Sequence, residues 1–257
     1  ELVLKDLKLR YCRSTLGLFW VFLLPLTTVL IFYVVFSVFL KVKTEEAPFI
    51  LYLMSAVFTW SFFHDSIVCS TTSLVDNKNL VRESGFPYYF LPISTVLANM
   101  VNFLPSLAIL IITALFVLKG LPLLIIFLPF VILIQLLFTI GLSIIFSIFY
   151  VRNRDIKYII EIILTILFYL TPIFYSIYLV KNSLPPFLFK AYIYNPLTGI
   201  LIFYRSTIFK GFYGFIAKDA GFLSIIIIPA CFSFIALFLG FYLYNKKKNN
   251  INDYLSY

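Results

Sequence analysis

Six apolar segments, each long enough to cross a lipid bilayer, constrain the fold of this chain more than any other feature of its sequence. The first runs from Leu16 to Leu40 without a charged residue. A helix needs about 20 residues to cross a hydrocarbon core of roughly 30 Å. The other five cover approximately 49–74, 93–118, 121–150, 158–180 and 222–244. Six crossings predict an all-α membrane protein with both termini on one side of the membrane.

The composition excludes a soluble globular protein. Only 12% of the residues are charged and 62% are hydrophobic, whereas soluble domains carry about 25% charged residues. The net charge of +9 does not indicate nucleic-acid binding, because the cations lie beside the ends of the apolar segments, where lipid headgroups attract them. We therefore expect membrane lipids, and no nucleic acid, as partners of these cations.

Residues 1–15 have the pattern of an amphipathic helix that lies on the membrane surface. Leu4, Leu7 and Tyr11 recur at helical spacing on one face, and cations occupy the other. Helices of this kind settle at the membrane–water interface. We predict an interface helix ahead of the first span.

Lysine and arginine are distributed unequally between the two sides that six spans would create. On the side away from the termini, the two short links hold three of the 20, Lys41, Lys43 and Lys119, and the long connection 181–221 holds five, which count less toward topology. The terminal side carries twelve: Lys5, Lys8, Arg10, Arg13, Lys78, Arg82, Arg152, Arg154, Lys157, Lys246, Lys247 and Lys248. Because cytoplasmic loops carry such an excess, both termini, including the tail 245–257, are predicted to be cytoplasmic.

The connection 181–221 is too apolar for a solvated loop and too interrupted for a span. Pro185-Pro186 and Asn195-Pro196 each end a helix, and a proline can also begin the next one. The pattern predicts two short helices, about 186–194 and 196–209, in a re-entrant hairpin. A lid packed on the bundle and a gate at the external mouth are both open interpretations.

No motif for catalysis, metal binding or nucleotide binding occurs in the sequence. GxxxxGK[ST], HExxH, GxSxG and CxxC are all absent, so any ATP-driven work must come from another subunit. His64 and Asp65 adjoin inside the second span, where inserting an ionisable group costs roughly 2.5–3.5 kcal/mol. A cavity-facing pair and a proton relay both fit this position.

Two polar segments on the terminal side are candidates for contact with a soluble partner. The first is Val75–Pro92, which contains a helix-sized charged piece, Asp76 to Ser84. The second is the short turn Val151–Lys157. In the first segment, a charged helix parallel to the membrane would offer a surface through which a soluble subunit can move the spans. The turn could be a contact for a cytoplasmic partner, but the usual excess of cations in cytoplasmic loops also explains it.

Aromatic residues make up 20% of the chain. Phe168, Tyr175 and Tyr178 recur at helical spacing in the fifth span, and Trp60 and Phe63 do so in the second. A wall of rings and hydroxyls suits a sugar, whose C–H faces stack on the rings. Ordinary packing in the core or against lipid produces such stripes as well.

Five segments carry a family resemblance: RYCRSTLGLFWVFLLPL at 10–26, NKNLVRESGFPYYFLP at 77–92, YVRNRDIKYI at 150–159, LTPIFYS at 170–176 and YNPLTGILIFYR at 194–205. In this order they resemble the permease subunit of type-2 polysaccharide ABC exporters, which carry O-antigen, capsule or teichoic acid across bacterial inner membranes. One departure is visible, because Arg82 is followed by Glu83 where the family often has two basic residues.

The resemblance implies one permease domain over 1–257: interface helix 1–15, spans one to five 16–180, periplasmic gate hairpin 181–221, span six 222–244 and tail 245–257. It implies a homodimer around a shared conduit for a lipid-linked polysaccharide, a common C2 arrangement. It further implies two nucleotide-binding subunits that hold ATP and Mg. This chain itself is then expected to bind no cofactor directly and to be a permease rather than an enzyme.

The candidate site residues form three groups. Expected to couple to the ATPase are Arg10, Arg13, Asn77, Asn79, Arg82, Glu83, Arg154 and Asp155. Expected to line the conduit are Trp60, Phe63, Phe168, Tyr175 and Tyr178. Expected in the periplasmic gate are Pro185, Pro186, Asn195, Pro196, Tyr204 and Arg205.

Three other functions remain open at this point. A type-2 ABC permease for a lipid or drug would share the same helices around a narrower conduit. A membrane-embedded glycosyltransferase or ligase would need carboxylates, histidine or arginine that converge on the outer side. A proton-coupled secondary transporter would depend on His64 and Asp65.

Overall fold

The computed structural model describes residues 1–11, 19–42, 44, 47–81, 86–210, 212 and 222–254, and every regular element in these ranges is helical. The helices are α1 (Leu2–Tyr11), α2 (Phe19–Phe32), α3 (Phe49–Asp76), α4 (Lys78–Val81), α5 (Phe90–Leu118), α6 (Leu128–Arg152), α7 (Ile156–Leu170), α8 (Ile177–Ser183), α9 (Pro186–Ile193), α10 (Pro196–Ile208) and α11 (Phe222–Tyr254). A π-helical turn, Tyr33–Phe39, continues α2, and a 3₁₀ turn, Leu123–Phe127, precedes α6.

Three helical stretches in the described part are long and apolar enough to cross a membrane: Phe90–Leu118, Leu123–Arg152 and Ile225–Lys248. A shorter apolar helix covers Leu23–Phe39. α3 is 28 residues long, which is sufficient length at about 1.5 Å per residue, but its many serine and threonine residues make it less apolar. The prediction of an all-helical chain with apolar spans is confirmed.

The two helices α6 and α11 approach each other closely at two glycines. A Cβ atom added to Gly141 would lie 2.5 Å from the backbone of Ala236, and one added to Gly240 would lie 3.0 Å from the carbonyl oxygen of Gly141. Small residues permit such close approach of helices in a membrane. The Ser233 hydroxyl also donates to the carbonyl oxygen of Ile134 at 2.9 Å, which ties α11 to α6.

The fifth predicted span is interrupted in the structure. The sequence predicts one helix over 158–180, and that prediction is wrong between Thr171 and Ser176, where the backbone is non-helical. Thr171 is extended (φ −89°, ψ 143°) because the residue before a proline, here Pro172, avoids the helical region. The helix starts again as α8, whose first turn is capped by the Ser176 hydroxyl.

The two short helices predicted in the connection 181–221 are present as α9 and α10. Their starts follow from local chemistry, because each has proline in its first turn and the Asn195 side chain accepts a hydrogen bond from the Leu197 backbone N–H at 3.0 Å. Every residue of α10 from Leu197 to Ile208 is buried. This helix is therefore part of the bundle core, and most of the segment that follows it lies outside the described residues.

Candidate functional site

The N-terminal helix is anchored to the bundle beside the segment predicted to contact a soluble partner. The Lys5 ammonium donates to the side-chain oxygen of Asn77 at 3.2 Å, and the Thr95 hydroxyl donates to the Asp6 carboxylate at 3.3 Å. Asn77 is the C-cap of α3, and its side chain donates to the carbonyl oxygen of Ser73 at 3.0 Å. α1 therefore meets the α3–α4 junction and the first turns of α5.

The turn between α6 and α7 and the end of α11 lie at this same end of the bundle. Tyr88, just before α5, donates its hydroxyl to the carbonyl oxygen of Lys248 at 3.1 Å. The Lys247 ammonium lies 4.4 Å from the ring centroid of Phe149, in the last turn of α6. The guanidinium of Arg154 lies 5.1 Å from the ring of Tyr150. One surface thus combines both ends of the chain with the polar turns.

The structure brings four of the eight residues predicted to couple to an ATPase to this surface. Asn79, Arg154 and Asp155 are exposed and Asn77 is partly buried. Arg10 lies in α1, with its side chain outside the description, and Arg13, Arg82 and Glu83 lie outside the described residues. Within the described ranges, no three His, Cys, Asp or Glu side chains are grouped as metal ligands would be.

Four of the five predicted conduit aromatics belong to, or extend from, one cluster of rings. Phe168 lies 5.5 Å from Trp60, and Trp60 lies 5.8 Å from Phe63. Phe174 bridges Phe168, at 6.0 Å, to Tyr175, at 5.3 Å. Phe63 is buried, whereas Trp60, Phe168 and Tyr175 are half-buried. The cluster therefore has a packed base and a partly open edge.

The fifth residue, Tyr178, lies beside Tyr175 along a groove at the far end of the cluster. The groove has a volume of about 500 Å³ and is also lined by Phe36, Asn182 and Ser183. Its size matches small-molecule sites, which span about 300–1,000 Å³. The break between α7 and α8 places Tyr175 and Tyr178 at this groove, because in a continuous helix their side chains would project from it in other directions.

Arg205, predicted as a gate residue, is completely buried in the structure. Its guanidinium lies 3.4 Å from the ring centroid of Tyr52 in a cation–π contact. It donates to the carbonyl oxygens of Tyr52 at 3.2 Å and Ile173 at 3.4 Å, and to the Ser55 hydroxyl at 3.4 Å. α10 is thereby linked both to α3 and to the interruption after α7.

A second polar chain connects α10 to α6 and α3. The Tyr204 hydroxyl donates to the Gln135 side-chain oxygen at 2.7 Å, and the Gln135 amide donates to the carbonyl oxygen of Thr59 at 2.9 Å. Gln135 is not among the residues predicted from the sequence, although a single amide side chain in an apolar span is typical of a residue that hydrogen-bonds between helices. Tyr204 is therefore a structural contact as well as a member of the predicted gate.

The remaining predicted gate residues cap helices. Pro185 precedes α9, Pro186 begins it, and Asn195 and Pro196 do the same for α10. Tyr192 of α9 makes a hydroxyl–hydroxyl contact with Tyr175 at 3.1 Å. Burial, and then this hydrogen bond, raise the pKa of Tyr192 above its ordinary value, so the phenol stays protonated and available for hydrogen bonding.

Comparison with known proteins identifies relatives over nearly the whole chain. A model of the family described as ABC-2 type transporter matches residues 1–209. A Klebsiella pneumoniae protein named O-antigen export system permease protein RfbA is 29% identical, over 98% of this chain and 92% of the relative. A Myxococcus xanthus protein of the same name is 28% identical, over 82% of this chain and 79% of the relative.

Proposed function

This chain belongs to the ABC-2 type transporter family, and from that premise we propose that it is the transmembrane subunit of an ATP-driven exporter that moves a lipid-linked polysaccharide, an O-antigen or related glycan, across the bacterial inner membrane. The observation that carries the proposal is the match, over 98% of the chain, to a permease named for O-antigen export. The family resemblance implied a transport permease rather than an enzyme, and the match to a transporter family agrees with it.

The proposed topology has six spans with both termini in the cytoplasm and a re-entrant hairpin on the periplasmic side. The contacts of α1 with Asn77, of Tyr88 with Lys248 and of Lys247 with Phe149 support it, because they put both chain ends at one end of the bundle. The excess of lysine and arginine at that end favours the cytoplasmic side.

ATP hydrolysis is assigned to two copies of a separate nucleotide-binding subunit, which hold ATP and Mg. They would contact the surface formed by α1, α4 and the α6–α7 turn, where Asn79, Arg154 and Asp155 are exposed. The hydrogen bond between Lys5 and Asn77 would transmit a displacement of either element to the other. Arg10, Arg13, Arg82 and Glu83 complete this proposed surface.

The conduit is proposed to lie between two copies of the chain. The half-buried rings would line it and let the glycan slide, since weak contacts at many sites permit exit as well as entry; they are Trp60, Phe168, Tyr175 and Tyr178, with the buried Phe63 packed beneath them. α9 and α10 would form the periplasmic gate, with α10 as its fixed, buried side and α9, where Phe187 is 80% exposed, as its outer side.

The direct test is transport by the purified complex. The chain and its nucleotide-binding subunit would be reconstituted into proteoliposomes and given a fluorescent lipid-linked O-antigen fragment. We expect translocation that requires ATP and Mg. If the complex transports a lipid that carries no glycan but does not translocate the O-antigen fragment, the proposed function is wrong and the chain is a lipid permease.

Coupling is tested in the same system with the charge reversal Arg82→Glu, Glu83→Arg. Because charges at a protein interface fix its register, we expect export to fall to background while ATP hydrolysis continues. Lys246→Met, which removes an exposed cation at the same end of the bundle, is the control and should export normally. Normal export by the charge-reversed complex would contradict the assignment of this segment to coupling.

A further inference from the structure

A groove between α2, α3 and α5 lies apart from the aromatic cluster, and we propose that it is a hydrated binding site for the hydroxyl groups of a neutral sugar unit. The inference rests on the proposed function and adds to it a second contact point for the glycan. The groove has a volume of about 530 Å³, within the range of small-molecule sites, about 300–1,000 Å³.

The groove is separated from the proposed conduit by the body of α3. Ser61, Asp65 and Cys69 line it and follow one another at four-residue intervals on one face of that helix. Trp60 and Phe63 lie on another face and meet the aromatic cluster. One helix therefore presents a polar face to the groove and an aromatic face to the proposed conduit.

The exposed carboxylate of Asp65 supports the proposal that the groove holds water or a polar ligand. This side chain is 62% exposed, and the Nδ1 atom of His64, the preceding residue, lies 3.0 Å from its carboxylate oxygen. α3 extends 16 residues before Asp65 and 11 residues after it, about four and three helical turns, so the carboxylate is far from both helix ends. A carboxylate at such a position faces lipid only at a cost of roughly 2.5–3.5 kcal/mol, which water or a polar ligand in the groove removes.

Side-chain amides and hydroxyls supply the hydrogen-bonding groups on the opposite wall. Asn99, Asn102 and Ser106 of α5 line the groove, at the spacing of one helix face. The side-chain oxygen of Asn102 is buried and has no hydrogen-bond partner among the described residues. Since a buried acceptor left unpaired costs about 1–3 kcal/mol, this oxygen calls for a donor such as a water or a sugar hydroxyl.

Aromatic rings complete the chemistry that recognises a sugar. Trp20 of α2 stands at the groove, and Phe62 and Phe103 stack at 5.2 Å within its wall. Ring faces bind the C–H faces of sugars, while carboxylate and amide oxygens accept from the hydroxyls. Among the described residues that line the groove there is no lysine or arginine, so the Asp65 carboxylate would disfavour a phosphate or an acidic sugar relative to a neutral one.

Cysteine accessibility tests whether the groove holds water. Ser61→Cys would be made in a chain whose three cysteines are alanine, reconstituted in nanodiscs, and labelled with positively and negatively charged methanethiosulfonates. Residues 61 and 65 are one helical turn apart, roughly 6 Å, so the Asp65 charge should favour the cationic reagent about tenfold. Asp65→Asn should abolish that preference. Leu104→Cys, 48% exposed on the outside of α5, is the control and should label far more slowly.

Protection by a neutral sugar tests the ligand. Maltotriose at about twice its Kd leaves a third of the sites free and should slow labelling of Ser61→Cys about threefold, whereas trigalacturonate should not. Asn102→Leu, which removes the unpaired acceptor, should abolish protection without slowing labelling itself. Labelling no faster than at Leu104→Cys would overturn the proposal, as would labelling that no sugar slows or that both sugars slow equally.

Transport assays on the same nanodisc preparation, moved into proteoliposomes, separate this inference from the proposed function. If ATP-driven glycan export occurs but maltotriose gives no protection, only the groove site fails. If protection occurs but no glycan is exported, the chain has a sugar site and the export function fails.

Discussion

Arg205 carries a positive charge at a fully buried position. Its guanidinium therefore needs protein groups in place of the water that would hydrate it in solution. The structure supplies the Tyr52 ring, two backbone carbonyl oxygens and the Ser55 hydroxyl. One of those carbonyls belongs to Ile173, in the interruption after α7. The arginine thus holds the non-helical segment against α3 and α10, which explains how a break in a membrane helix is stabilised.

Replacing Arg205 with methionine keeps most of the side-chain volume and removes the donors. Hydrogen bonds to charged groups contribute about 1.5–3 kcal/mol each, and backbone carbonyls left unpaired add to the loss. We expect Arg205→Met to lower the free energy of unfolding by about 2 kcal/mol, measured by denaturant titration in micelles. Lys210→Met, at an exposed cation two residues after α10, is the matched control and should change stability little. Equal stability of the two variants would mean that the buried guanidinium makes no net contribution to the free energy of unfolding.

At the scale of elements, proline and asparagine made some boundaries predictable. The two helices after residue 185 begin within a residue of where Pro186 and Asn195-Pro196 place them. The same kind of signal, Thr171-Pro172, marks the interruption of the fifth span, but a long apolar run outweighed it in the sequence analysis. Hydrophobicity measures whether a segment prefers lipid and carries little information on whether its backbone is continuous.

The aromatic cluster is the element whose function depends on ring chemistry. Phe168 contacts Trp60 and Phe174, so alanine there would also open a cavity. Leucine retains most of the volume, at a cost usually below about 1.5 kcal/mol, and removes the ring face. We expect the triple variant Phe168→Leu, Tyr175→Leu, Tyr178→Leu to slow glycan export while the complex stays assembled, measured by proteoliposome transport and size-exclusion chromatography.

The control for this variant is Phe234→Leu, a substitution of a ring that is 64% exposed on α11 and distant in sequence from the cluster. It should leave the transport rate unchanged. If the triple variant exports at the control rate, the cluster is packing and the glycan passes elsewhere.

For the whole molecule, the sequence predicted the class of protein and the order of its helices well. Apolar runs and cation placement are local properties that need no tertiary contacts. The contacts that organise the candidate sites are not local: Tyr204 and Gln135 are 69 residues apart, and Arg205 and Tyr52 are 153 apart. The groove beside Asp65 likewise forms only when α2, α3 and α5 pack together. The sequence alone contains the residues that line the groove but does not indicate that they are close in space.

The orientation of the whole molecule is testable with three exposed lysines. Lys41 and Lys119 lie in turns with positive φ, 52° and 51°, at the ends of helices that lead away from the termini, whereas Lys246 lies near the end of α11. In a chain free of other cysteines, we expect Lys41→Cys and Lys119→Cys to react in spheroplasts with a membrane-impermeant maleimide, because six spans place both turns in the periplasm. Lys246→Cys should react only after the membrane is opened, since the twelve cations at that end hold it in the cytoplasm.

A permeant maleimide, which should label all three variants, shows that each cysteine is reactive. Labelling of Lys246→Cys from outside in intact spheroplasts would reverse the proposed orientation and, with it, the assignment of the α1–α4 surface to a cytoplasmic ATPase.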